Sequence, residues 1–202
     1  MGGAVGRWAS GMSYGPVLSQ TDLYLLDTEL DLNPIIAHNG ATDFHLIFNL
    51  STGMTGGFNQ EARDRDLPFT QKDEPATLPR VSKLILITEL SPWCTVVSND
   101  NGVTMSDVCT ALWKDYTDNQ VSPAEFGALP PRLQEQVKRA AAAHSQSSWN
   151  QYYTPQQMPN QFRRVDWLRE KVFFDGLRKR DDYSVQRLGY KAPNIFVVQL
   201  QI

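Results

Sequence analysis

The sequence predicts a single α+β domain, a mainly antiparallel sheet with helices packed on one side. Three observations carry that expectation. Strand and helix signals are grouped along the chain and do not alternate, which disfavours a parallel α/β sheet. The run "VSKLILITEL", Val81 to Leu90, is apolar through its centre, as expected of a strand covered on both faces. In "VVSNDNGVTMSDVCTALWKDY", Val96 to Tyr116, the hydrophobic period changes from two to that of a helix across one glycine turn.

In chain order, residues 1–20 are rich in Gly and Ser and read as a loose arm, with Trp8, Tyr14 and Leu18 able to pin it to the body. The domain proper is expected over 21–202. "FHLIFNL", from Phe44 to Leu50, reads as its first strand, followed by a long loop at 51–80 that suits either a functional flap or a mobile segment. Trp93 to Val97 forms another β-branched and aromatic strand, which stops at Asn99-Asp100-Asn101-Gly102, where Gly102 accepts positive φ most readily. Met105, Val108, Cys109, Leu112, Trp113 and Tyr116 then fall on one helical face. Thr104 and Asp107 are spaced as a capping box, and Val103 is placed to staple onto Val108. Trp93 and Trp113 are both expected in the core.

A helical and loop insertion at about 119–160 follows. Ser122-Pro123 opens a short helix and Pro130-Pro131 a longer one through "RLQEQVKRAAAAHSQ". "SSWNQYYTPQQMPNQ" is a polar, proline-punctuated loop. "VDWLREKVFFDGL" fits a short helix or extended chain equally. "YSVQRL" and "NIFVVQLQI" read as closing strands, the second with Phe196, Val198, Leu200 and Ile202 on one face.

Composition narrows the function classes. A formal charge of -3 argues against a general nucleic-acid binder. The chain has no 18-residue apolar run to span a membrane, its start lacks the apolar core of a secretory signal, and Gly6 breaks the myristoylation pattern. Two cysteines make no disulfide framework, so Cys94 and Cys109 are expected to be reduced and buried in an intracellular, cytoplasmic protein, although the count leaves a single bridge open.

Several groupings invite chemistry. Asp43 and His45, two apart at the start of a strand, share one face, with His38 just upstream, and would suit a metal site or an acid/base pair; no third ligand follows in sequence. Gly53, Gly56 and Gly57 sit where a phosphate loop would, but match neither established glycine spacing, so a flexible surface loop is the better reading. A thiol nucleophile with His144 as base is opposed by Cys109 on an apolar helix face and His144 at a helix end. The basic, aromatic runs "RRVDWLREK" and "GLRKRDDY" are interrupted by acids and read as solvated faces. No cofactor or metal is expected.

Charge arrangement is more informative. No Lys or Arg lies between Arg7 and Arg63, where Asp22, Asp27, Glu29, Asp31 and Asp43 all fall, whereas residues 160–191 hold nine basic side chains against five acidic. Such asymmetry suits docking to a protein partner or to a second copy, with Asp22, Asp27, Glu29 and Asp31 opposing Arg163, Arg164, Arg178, Lys179 and Arg180, unless the two segments neutralise each other within one molecule. A non-catalytic interaction or assembly module is therefore expected. The alternative is an enzyme or small-ligand binder with a site near the 38–57 segment, beneath the long loop.

The motifs "DLNPIIA", "TDFHLIFNL", "LPRVSKLILITELSPWCTVV", "NGVTMSDVCTALWKDY" and "VDWLREKVFFDGL" occur in that order. Their specific parts are Pro92, Trp93 and Val97, the Gly102-Val103-Thr104 corner with Asp107 and Val108, and Phe174 with Gly176 and Leu177. In these the chain resembles a domain-of-unknown-function family found chiefly in basidiomycete fungi. The resemblance implies an intracellular fungal protein and supplies fold markers, with no catalytic residues.

Overall fold

The computed structural model describes residues 7–8, 14–61, 66–146 and 161–202. Its frame is a four-stranded sheet of β5 (Lys83–Ile87), β6 (Cys94–Ser98), β7 (Phe173–Arg178) and β8 (Ile195–Gln201), in the order β6-β5-β8-β7. The pairs β5–β6 and β7–β8 are antiparallel, and β5–β8 is parallel. The α+β class read from the sequence is the one observed.

β5 is central because both of its faces are apolar. Leu84 and Leu86 point into the main core with Val97, Phe196 and Val198, beneath α3 (Met105–Asp118). Ile87 joins Ile195 and Val197 on the opposite face, covered by Tyr183, Leu188 and Ala192. That second cover comes from α7 (Asp181–Leu188), which contains the "YSVQRL" read from sequence as a strand. Asp181 and Asp182 in its first turn and left-handed Gly189 at its end outweigh the short alternating pattern.

α3 begins as expected. Thr104 Oγ1 accepts from Asp107 N at 3.1 Å, and Asp107 Oδ2 accepts from Thr104 N at 2.9 Å. Met105, Val108, Cys109, Leu112 and Tyr116 are buried. Trp113 departs from the expectation: it is 36% exposed, on the flank of the stripe, and lies over Gly53. Cys94 is likewise exposed, because it pairs with Ile87 at the uncovered end of β6.

The 51–80 segment is built into the fold. β2 (His45–Phe48) and β3 (Thr55–Phe58) form a hairpin that joins the main sheet where Leu50 N donates to Val172 O at 2.9 Å. A 3-10 turn (Thr70–Asp73) and β4 (Thr77–Leu78) follow, and β4 pairs with β1 (Asp31–Leu32). Ala76 N donates to Val103 O and Met105 N to Glu74 O, tying the segment to the start of α3. Residues 62–65 lie outside the described residues. Gly56 and Gly57, expected in a flexible loop, are strand residues of β3.

Near the amino end, Leu18 is hydrogen-bonded on both sides to Arg80 and Ser82, so the arm is tied down before α1 (Gln20–Leu26) begins. In the insertion, α4 (Pro123–Gly127) and α5 (Pro131–Gln146) form where the proline signals place them; 147–160 lies outside the described residues. The ambiguous "VDWLREKVFFDGL" resolves into a single turn, α6 (Arg164–Trp167), followed by β7. Among the described residues, no helix is long and apolar enough to cross a membrane.

Candidate functional site

His38 ends α2 (Pro34–Ala37), a turn started by Asn33 Oδ1 accepting from Ile35 N at 3.1 Å and by Pro34 in the first position. At φ 45 it turns its ring onto the edge of Phe174, 5.7 Å between centroids, with Nδ1 4.0 Å from Asp175 Oδ1. Burial lowers its pKa, with Asp175 acting the other way and nearby His45 adding to the fall. His45 points outward from β2 and stacks on Phe58 at 5.0 Å. Asp43 is exposed ahead of the strand, outside β2. The fold thus gives His38 Asp175 as its carboxylate neighbour in place of Asp43, while the exposed His45 stacks on Phe58. Among the described residues, no three His, Cys, Asp or Glu side chains converge to hold a metal ion.

The acidic residues stay at the surface. Asp22 caps α1, its Oδ2 accepting from Ser19 N at 2.8 Å, and these bonds lower its pKa. Asp27 closes the helix at φ 45, Glu29 is exposed, and Asp31 pairs with Arg7 at 2.7 Å. Among the described residues, no ion pair joins these carboxylates to the basic segment.

Most of the basic residues are engaged inside the molecule. Arg164 pairs with Asp115 at 2.5 Å and lies 4.8 Å from the Trp93 ring centroid. Arg178 donates to the carbonyl of Ala37, and Lys179 to that of Ala192 and to Asp181. Arg180 bonds Asp182 and Glu89. Arg163 contributes its backbone N–H to Asp166 Oδ2 at 2.8 Å. Trp93 itself is half-buried, donating from Nε1 to Glu125 Oε1 at 2.8 Å.

α1 carries an apolar surface that charge alone did not reveal. Leu23 is 1% exposed and anchors the helix, whereas Tyr24, Leu25 and Leu26 are 83%, 71% and 61% exposed. Three consecutive large apolar side chains in water are uncommon on a folded domain.

A second feature lies across the molecule. Asp166, buried in the first turn of α6, is hydrogen-bonded through Oδ1 to His144 Nδ1 at 2.7 Å. The His144 ring forms part of the wall of a cavity of about 670 Å³ between α5 and the turn leading into β7. A smaller cavity of about 140 Å³ lies under the hairpin, lined by Gly53, Phe69, Cys109 and Trp113 among others. Burial raises the Cys109 thiol to about 12, and partial desolvation beside Asp115 also raises that of Cys94. Neither thiol is poised as a nucleophile.

The sequence profile of a family of unknown function (DUF6699) matches residues 44–184. The chain belongs to that family. No curated protein and no solved structure shows significant similarity to it. The DUF6699 span runs from the hairpin into the first half of α7 and contains His144, Asp166 and the wall of the larger cavity apart from Ile202, while α1 precedes it.

Sequence reasoning weighed His144 in this DUF6699 chain only as a helix-end base for a thiol. Its partner Asp166 stands 22 positions away, across the 147–160 stretch, and no local spacing signals that pairing. The exposed apolar run of α1 was legible as "LYLL" beside acids, but the single buried position, Leu23, emerges only from the packing.

Proposed function

We propose that this DUF6699 protein is a non-catalytic interaction module whose α1 docks a partner protein that presents basic and apolar side chains. The observation that carries the reading is the exposure of Tyr24, Leu25 and Leu26 beside carboxylates. A helix of this length, anchored by one buried leucine, gains nothing for its own stability from three apolar side chains in water. Tyr24 is of the kind that anchors protein interfaces once desolvated, and Leu25 and Leu26 add apolar area beside it. Asp27 and Glu29 beside them make no ion pair among the described residues and leave the patch edge negative, which selects a cationic partner and speeds encounter. The same reading makes the protein an intracellular one of fungal origin, in keeping with free cysteines and with the basidiomycete family it resembles.

The alternative of an enzyme or ligand site at the 38–57 segment has less support, because Gly53 and Thr55 of that segment line the smaller cavity but its candidates His38, Asp43 and His45 line neither.

The test is capture from native extract with tagged full-length protein, wild type against Leu25→Asp/Leu26→Asp, after thermal melting shows that both fold. The reading requires a protein that co-purifies with wild type at about 0.15 M salt, is lost from the variant, and is released at about 1 M, where screening shortens to about 3 Å. Identical captures from both chains would overturn it. A dimer in sedimentation that the variant abolishes would assign the patch to a second copy and overturn the basic partner.

A further inference from the structure

The cavity between α5 and the α6–β7 turn has a volume of about 670 Å³, within the range that holds small organic ligands. Ala143, Leu168 and Val172 give it an apolar wall, and among the described lining residues Arg139, Arg169 and Lys171 outnumber the one acidic side chain, Glu170.

What marks these cations is that, among the described residues, three without a carboxylate partner meet around one cavity. Arg164, Lys179, Arg180, Lys138 and Arg7 each have a carboxylate partner. Among the described residues, Arg139, Arg169 and Lys171 form no ion pair. Arg169 donates from Nη1 to the neutral Gln136 Oε1 at 3.0 Å, which orients the guanidinium and leaves its charge uncompensated.

The setting is rigid where it needs to be. Arg169 holds φ 60, a left-handed conformation unfavourable for a residue with a Cβ, and such conformations gather at functional sites. The Asp166 carboxylate, buried behind the wall, fixes the His144 imidazole at 2.7 Å. Positive charge around an apolar wall matches a ligand with an acidic head and an apolar body. Guanidinium groups bind the oxygens of such heads in pairs.

We infer that this cavity binds an amphiphilic organic oxyanion, its acidic head held by Arg139, Arg169 and Lys171 and its body laid on Leu168 and Val172. This site is separate from α1 and stands whether or not α1 docks a partner.

Calorimetric titration of the full chain with decanoate, decyl phosphate, decanol and inorganic phosphate, below their aggregation concentrations, tests it. At least one acidic amphiphile is expected to bind at least about tenfold more tightly than decanol and than inorganic phosphate, a ratio of the size that hydrogen bonds to a charged head provide. Which of the two wins decides between a carboxylate and a phosphate head. Arg139→Gln/Lys171→Gln, which spares the left-handed Arg169, should weaken that binding by a similar factor with unchanged melting. Ala143→Trp, which fills the space and keeps the cations, should abolish it. Equal binding of decanol and the acids, binding indifferent to both variants, inorganic phosphate binding as tightly as decyl phosphate, or no binding at all would overturn the inference.

Discussion

Trp113 lies so close over Gly53 that a Cβ on the glycine would sit 2.6 Å from the indole Cδ2. Gly53 also has φ 73, so an alanine there meets both backbone strain and a ring. Gly102, at φ 96, meets the strain and only a snug contact, 3.3 Å to Arg80 Cδ. Gly102→Ala should therefore cost about 1–2 kcal/mol, the left-handed penalty, and Gly53→Ala more. Trp113→Ala, at a partly exposed site, should cost about 1–2 kcal/mol, below the ~3–5 kcal/mol of a buried tryptophan. In the Trp113→Ala background, Gly53→Ala should become cheaper. Denaturant melts of the double-mutant cycle decide this, and strict additivity would show that the ring does not press on the glycine.

His38 should make stability depend on pH. Burial lowers its pKa from the ordinary histidine value of about 6.5, so the unfolded chain binds a proton at a higher pH than the folded one. Its contribution is fully present above about 6.5 and is lost as pH falls from there through the lower folded value. His38→Asn tolerates the left-handed backbone and removes the titration. Wild type should lose more stability than the variant between pH 7.5 and the acid end of that window. Parallel losses would place the imidazole in water.

The two thiols should differ in access. Cys109 is buried with its pKa raised to about 12, whereas Cys94 is at the surface with a pKa raised by partial desolvation. Under native conditions a thiol reagent should label Cys94, more slowly than a free cysteine, and leave Cys109 untouched until unfolding. Native labelling of both would contradict the packing of α3.

These contrasts show where sequence was sufficient. β5, β8 and the capped start of α3 were legible because apolar period, capping residues and glycine agree locally. α7 was misread because a helix of eight residues offers little periodicity, and Val185 in it faces water. Trp113 was misplaced because it borders the apolar stripe, and only the hairpin carrying Gly53, far away in sequence, decides what covers it. The same holds at the sites: the acidic segment was legible as charge, but the engagement of Arg164 by Asp115 and Trp93, and of His144 by Asp166, depends on tertiary contacts.

Arg164 should accordingly matter for stability and not for docking. It bonds Asp115, which also accepts from Thr95 Oγ1 at 2.6 Å, and it faces the ring of Trp93. Arg164→Ala should destabilise by about 2 kcal/mol, less than a fully buried pair because both side chains retain some water. Capture of the α1 partner should persist. Loss of the partner with unchanged stability would move the interface to the basic segment.

The central claim is that α1 is a docking surface, and hydrogen–deuterium exchange on the captured complex tests it most directly. Free α1 is short and held by one buried side chain, Leu23, and by the Gln20–Asn194 amide pair at its start, so its amides should exchange rapidly. With the partner bound, residues 20–27 should exchange markedly more slowly, while the exposed edge strand 94–98 should be unchanged. Unaltered exchange across 20–27, with protection elsewhere, would contradict it.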